Sequence, residues 1–306
     1  MRITPGMTAD NAVYNLQQGR SAMETLQEQI SSGSMVNRPS DDPLTARQLL
    51  DLQEQISAGE QYSSNITKGE LLLNVTDTAL GGMSELMQQV KKIAGDMVSG
   101  TVDATALSGA VGNLTQLKSQ LIDLGNTRIG NQYVFAGFSN SQPFDAAGNF
   151  SGTDDALNLE IAQGSRVATN VSGGNLLRGG SPPAPVGSGA TAGASPVDIL
   201  GGIDALITAL SSNDKAGIAD GIKNMKAAGD QIAASQADVA GRLVRMDNMK
   251  SMIANNRNTL QSIYGNLQNV DYAKAGVELS QQTTAFSAAL SATAKLTQLS
   301  LLDYMN

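Results

Sequence analysis

The segment from Leu279 to Leu302 constrains this chain most. Lys295 is its only charged residue; the remainder is Ser, Thr, Gln, Ala, Leu and one Phe. A surface helix of a monomer turns a charged face to water. An almost uncharged helix suits burial among other helices on several sides. Ala285, Ala289, Ala292, Leu296 and Leu299 step by four and three, the spacing of a heptad seam. Phe286, Leu290, Leu301 and Leu302 add apolar surface elsewhere. The start of the chain answers in kind, with Ala12, Leu16, Gly19, Met23, Leu26 and Ile30 at the same steps. The two ends therefore read as one helical hairpin closed across the whole sequence.

Between them the chain punctuates itself. Residues 1–6 read as a lead kept out of a helix by Pro5-Gly6, with Thr8 or Asp10 as the first cap. The first helix loses its pattern after Ile30, and Gly33 can close it. Asp42-Pro43 reads as a cap followed by proline at the first helical position. Turn and capping chemistry accounts for Ser40-Asp41-Asp42 better than carboxylate catalysis does. A long helix follows, with Leu49, Leu52, Ile56, Ile66, Leu73, Leu80, Met83, Met87, Val90, Ala94 and Met97 along its seam. Gly59, Gly69, Gly81 and Gly82 weaken it and leave room for a bend. Ser99-Gly100-Thr101 ends it. A helix over about 104–124 should return antiparallel.

The texture changes at Gly125. Extended runs separated by turn residues predict a small β-rich part. Residues 178–196 are Gly, Pro, Ala and Ser without periodicity and read as a mobile edge loop. Helical spacing returns with Ile199, Ile203, Leu206 and Leu210. Asn213-Asp214 then caps a long helix carrying Ile218, Met225, Ile232, Val239, Met246 and Ile253. Asp271 to Lys274 join it to the terminal helix. The fold expected is mainly α with a β-rich insert. It is elongated, with long antiparallel α-helical hairpins forming a coiled-coil trunk that carries a small β domain at the tip. The boundaries expected are 1–42 with 265–306 for a terminal helical part, 43–130 with 197–264 for the trunk, and 131–196 for the β-rich outer part.

Composition narrows function by exclusion. The chain has 306 residues, a net charge of −8, no cysteine and no histidine. The acidic balance argues against a nucleic-acid partner. Thiol catalysis, the usual zinc ligands and the commonest general base are all missing. Aromatic residues are only 4%, which suits packed long helices more than a β-sandwich. No apolar run approaches the ~20 residues needed to cross a bilayer, so no membrane partner is expected. The opening residues lack the apolar core of a secretory signal. Asp145, Asp154 and Asp155 lie near Gly148 and Asn149, but their spacing misses a calcium-binding loop. No phosphate loop is present. The stripe Met83, Met87, Met97 reads as packing. No catalytic, cofactor-binding or metal-binding residue is expected, and the chain reads as a structural protein, not an enzyme.

Four local patterns resemble the flagellin superfamily, and within it the hook-associated protein 3 family. They are the opening Met1-Arg2-Ile3-Thr4; Ser32-Gly33 followed by Val36-Asn37-Arg38-Pro39-Ser40-Asp41-Asp42-Pro43; the run Asn131 to Gly137, NQYVFAG; and the polar, alanine-rich end finishing SLLDYMN. The loop is the most specific of these. The resemblance implies a flagellar subunit exported unfolded, without signal cleavage, to the hook–filament junction. Its implied partners are hook-associated protein 1, flagellin, further copies of itself in a ring of about eleven, and a cytoplasmic export chaperone. A filament subunit of the flagellin type is the alternative. On this reading Ala12, Leu16, Met23, Leu26, Ile30, Ala285, Ala289, Ala292, Leu296 and Leu299 form the subunit interface. The segment Asn37, Arg38, Pro39, Ser40, Asp41, Asp42 and Pro43 is the loop between domains. Leu290, Leu296, Leu299 and Leu302 meet the chaperone.

Overall fold

The computed structural model describes residues 5–98, 103–180 and 196–304, with the side chains of 5, 6, 8, 9 and 296–304 excepted. The Met1–Thr4 motif, the break at Ser99 to Thr101 and most of the 178–196 loop lie outside the described residues. The described chain is mainly α. Its helices are α1 (Pro5–Ser32), α2 (Pro43–Val98), α3 (Ala104–Gly125), α4 (Gly173–Arg178), α5 (Ile199–Ser211), α6 (Lys215–Gln268) and α7 (Tyr272–Tyr304). Two antiparallel pairs form the β part: β1 (Arg128–Ile129) with β2 (Gln132–Tyr133), and β3 (Asn158–Ala162) with β4 (Ser165–Ala168).

Helix boundaries follow local chemistry. α1 begins at Pro5, earlier than Thr8 or Asp10 would place it. Proline is tolerated there because the first N–H of a helix has no partner to lose. Gly33, at φ 72°, closes the C-terminal end of α1 with its N–H on Gln29 O. α2 runs without a break through Gly59, Gly69, Gly81 and Gly82. Two of these glycines are packing notches. A Cβ at Gly69 would meet Met246 and Thr169 within 3.2 Å, and one at Gly82 would meet Leu124 at 3.1 Å. The close approach explains a residue that otherwise weakens a helix. Asp214 starts α6 by accepting the Ala216 N–H, and Asp271 starts α7 by accepting those of Ala273 and Lys274.

Packing divides the described structure into two compact units. One comprises residues 1–58 and 255–306, the other 59–254. The sequence reading drew three parts.

The 59–254 unit holds the main core. α6 contributes Ile218, Met225, Ile232, Val239 and Met246, each buried and one heptad apart. α2 presents Ile66, Leu73, Leu80, Met83, Met87, Val90 and Ala94 at heptad steps, α3 presents Leu114, Leu117 and Leu121, and α5 presents Ile199, Ile203, Leu206 and Leu210. Val134, Phe135, Phe144, Ile161, Val167, Leu176 and Leu177 from the β part join the same apolar cluster. The β insert thus shares its core with the helices. Gln231 of α6 fastens it. Its amide nitrogen donates to Leu176 O and Val197 O, and its amide oxygen accepts the Val197 N–H at 2.7 Å. Arg242 adds bonds to Ala168 O and Asn170 O while pairing with Asp238.

Candidate functional site

The 1–58/255–306 unit is built differently. α1 and α7 pack on each other and bury little. Between Asn11 and Glu28, the partly covered residues of α1 are Ala12, Leu16, Gly19, Met23 and Leu26, with Gln29 and Ile30 following. These include the whole seam expected from the sequence. Every other side chain in that span is exposed, Tyr14 among them at 59%.

The covered face of α7 is not the one its alanines suggested. It consists of Ala275, Leu279, Gln282, Phe286 and Thr293. Ala285, Ala289 and Ala292 are exposed, as is Leu290 at 46%. They make no intrachain seam with α1. Leu296, Leu299 and Leu302 lie on α7, but their side chains fall outside the described residues. An uncharged helix offers apolar spacing on more than one face, and the spacing alone does not say which face meets α1. Gln282, Thr293 and Phe286 were missed because two are polar and the third breaks the alanine step. The signal that could have found them is size, since Gly19 and Phe286 meet. A Cβ on Gly19 would lie 3.4 Å from the Phe286 ring and 3.8 Å from Gln282 Nε2.

Five hydroxyls of α7 satisfy themselves within the helix. Thr283 donates its hydroxyl to Leu279 O, Thr284 to Ser280 O, Ser287 to Thr283 O, Ser291 to Ser287 O and Thr293 to Ala289 O. Such back-bonding closes hydroxyls onto carbonyls one turn earlier. Burying an unpaired hydroxyl is costly, and these are already paired. These five hydroxyls can therefore leave water without becoming orphaned donors.

The connectors on either side of this helix pair are tied together. Met35 N–H donates to Gln268 O at 2.6 Å and Val270 N–H to Gly33 O at 3.0 Å. Gln29 Nε2 donates to Met35 O, and Arg38 reaches back to Glu28 at 3.2 Å. Arg38 N–H donates to Asp41 Oδ2, and Asp42 caps α2. The Thr45 hydroxyl, donating to Asp42, holds that carboxyl below its ordinary range, with the Thr45 and Leu44 N–H groups adding to it. Within the loop Asn37 and Asp42 are half-buried, and Arg38, Pro39, Ser40, Asp41 and Pro43 are exposed.

The acidic residues of the β part are structural. Asp145 accepts the Ala147 and Asn149 N–H groups and the Asn149 side-chain amide. The Asn149 side chain leads in lowering its pKa. This closes the turn around Gly148, whose φ is 89°. Asp154 pairs with the Ser172 hydroxyl. Among the described residues no cluster of three or more His, Cys, Asp or Glu could hold a metal ion. None of the described helices is long and apolar enough to cross a membrane.

Residues 3–140 match the family model of the bacterial flagellin N-terminal helical region. The chain is 25% identical over 194 residues to flagellar hook-associated protein 3 of Salmonella typhimurium, covering 61% of each chain. It is 26% identical over 137 residues to the protein of that name from Escherichia coli, covering 44% of this chain and 43% of the other. The two curated relatives carry the same name, and the matching family model describes the N-terminal region of flagellins. The chain thus spans about three fifths of the length of the Salmonella hook-associated protein 3 it matches. Among solved structures, a flagellar hook-associated protein from Vibrio parahaemolyticus shares the fold with a TM-score of 0.63 at 21% identity, covering 75% of this chain and 100% of that one. FlgL from Bacillus cereus does so with a TM-score of 0.57 at 18% identity, covering 70% and 99%.

Proposed function

We propose that the chain is a structural subunit of the bacterial flagellum that joins the hook-associated proteins to the flagellin filament. The observation that carries this reading is the outer face of α7. On a chain similar to hook-associated protein 3, that face is uncharged from Leu279 to Ala294, and the hydroxyls of Thr284, Ser287 and Ser291 bond within the helix. A free monomer gains nothing from such a surface, whereas a subunit packed among like helices does.

On this reading Ala285, Ala289 and Ala292 face neighbouring subunits, with Leu296 and Leu299 continuing the contact. The partners are hook-associated protein 1 on one side, flagellin on the other, and copies of the chain alongside. Before export, Leu290, Leu296, Leu299 and Leu302 need a cover, and a chaperone groove that takes an amphipathic helix supplies one. Residues 37–43 join α1 to α2. Export leaves the subunit at the hook–filament junction.

A strain lacking this protein tests the proposal by negative-stain microscopy. Hooks without filaments, with flagellin released to the medium, are expected. Hooks without filaments and without released flagellin would instead favour a filament subunit, a reading kept in view by the match to the flagellin N-terminal region. Intact filaments would sink both. Complementation with a Leu296→Asp/Leu299→Asp double variant should leave the bare hooks unrepaired, because it sets unpaired charge into a packed seam.

A further inference from the structure

We propose that two glycine–aromatic pairs set the register of α1 against α7. At the first, the Gly19 Cα faces the Phe286 ring; at the second, Gly33 faces Tyr272, whose hydroxyl would lie 2.7 Å from an added Cβ. The pairs keep step. Gly19 and Gly33 are two heptads apart, as are Tyr272 and Phe286 on the antiparallel partner. Midway between the glycines is Leu26, and midway between the aromatics is Leu279, both half-buried. One row therefore reads small, medium, small against a row that reads large, medium, large.

Size matching of this kind resolves an ambiguity that the apolar pattern leaves open. A seam repeating every seven residues also fits when one helix slides by seven. Ala12, Leu16, Met23 and Ile30 are apolar in either position. After such a slide Leu26 would meet an aromatic ring and a glycine would meet Leu279, giving one overpacked level and one void. Gly33 is also required by its positive φ. Gly19 has no such reason, since it lies inside a helix where glycine is unfavourable. A Cβ there would already touch Phe286 at 3.4 Å, so a side chain larger than alanine would have to displace the ring. The bonds between Met35 and Gln268 and between Val270 and Gly33 anchor one end of the pair, and Gly19–Phe286 holds the register two heptads away. This inference stands whether or not the chain acts at the hook.

The chain has no cysteine, so cross-linking starts from a clean background. In the full chain, Met23→Cys with Gln282→Cys reports the observed register, and Met23→Cys with Ala289→Cys reports a slide of seven. Disulfide yields in a glutathione buffer give the effective concentration of each pairing, even where the helices are only part-time partners. The observed register should exceed the slid one by about tenfold, the size of a coupling between touching residues. Gly19→Leu should erase that preference, and Phe286→Ala added to it should restore most of it. Equal yields without Gly19→Leu, or a preference that Gly19→Leu leaves intact, would overturn the proposal. So would loss of both links in Gly19→Leu without recovery by Phe286→Ala, which would make the pair an adhesive and not a register mark.

Discussion

Thr45 closes the first turn of α2 on Asp42 twice, its hydroxyl donating to Oδ2 at 2.6 Å and its backbone N–H to Oδ1 at 3.1 Å. These bonds favour the ionised carboxylate, so its folded pKa lies below the ordinary 3.8. A lowered carboxyl pKa stabilises the fold above the ordinary value and loses that contribution as pH falls through the folded one. Protection of the Leu44 to Ala46 amides, taken against the intrinsic exchange rate at each pH, should therefore fall on acidification below about pH 4. Asp42→Asn, which caps without ionising, should flatten that acid limb. An identical limb in the variant would show that another group controls it.

Gln231→Leu should destabilise the 59–254 unit by about 2 kcal/mol, because Val197 N–H and the carbonyls of Leu176 and Val197 lose their partner. The shift in urea midpoint, at unchanged slope, measures it. A shift near zero would mean water replaces the amide freely.

Phe144 is fully buried, and its ring packs on Phe150 with centroids 5.3 Å apart. Phe144→Ala should cost about 3–5 kcal/mol. Since β insert and helices share one core, the whole 59–254 unit should melt earlier in a single transition. Separate melting of the β part would show that it carries a core of its own.

Two substitutions on α7 should behave oppositely. Ala289→Glu is on the exposed face and should change the stability of the free chain by no more than about 0.5 kcal/mol. Leu279→Glu is on the face covered by α1 and should speed amide exchange across α1 and α7 together. If α7 is an assembly surface, Ala289→Glu nevertheless abolishes assembly. Wild-type assembly by Ala289→Glu would move the interface to another face.

The α1 seam could be read from sequence because, from Ala12 to Leu26, its covered residues are all apolar or glycine and its uncovered ones mostly polar. The α7 seam could not. Gln282 and Thr293 are covered without being apolar, and the alanine step that looked like a seam is exposed. Hydrophobic spacing carries no information where a helix has no charged side to mark water. Long helices in the 59–254 unit were legible for the opposite reason, with Ile218 to Met246 at strict heptads. The glycines of α2 misled because a notch for Met246 or Leu124 and a bend use the same residue. The β insert announced itself by turns, but its strands are too short for alternation to show that Phe135 and Ile161 join the helical core.

The hydroxyls of Thr283, Thr284, Ser287, Ser291 and Thr293, closed on their own helix, bear on how an association through this face would respond to its surroundings. A contact made by charges weakens as salt is added, because mobile ions screen it. One made by methyl groups and already-bonded hydroxyls offers salt little to screen. Its strength follows the hydration of apolar surface, which fades on cooling. A joint of this kind would hold in fresh or salt water alike, and cold would be what loosens it.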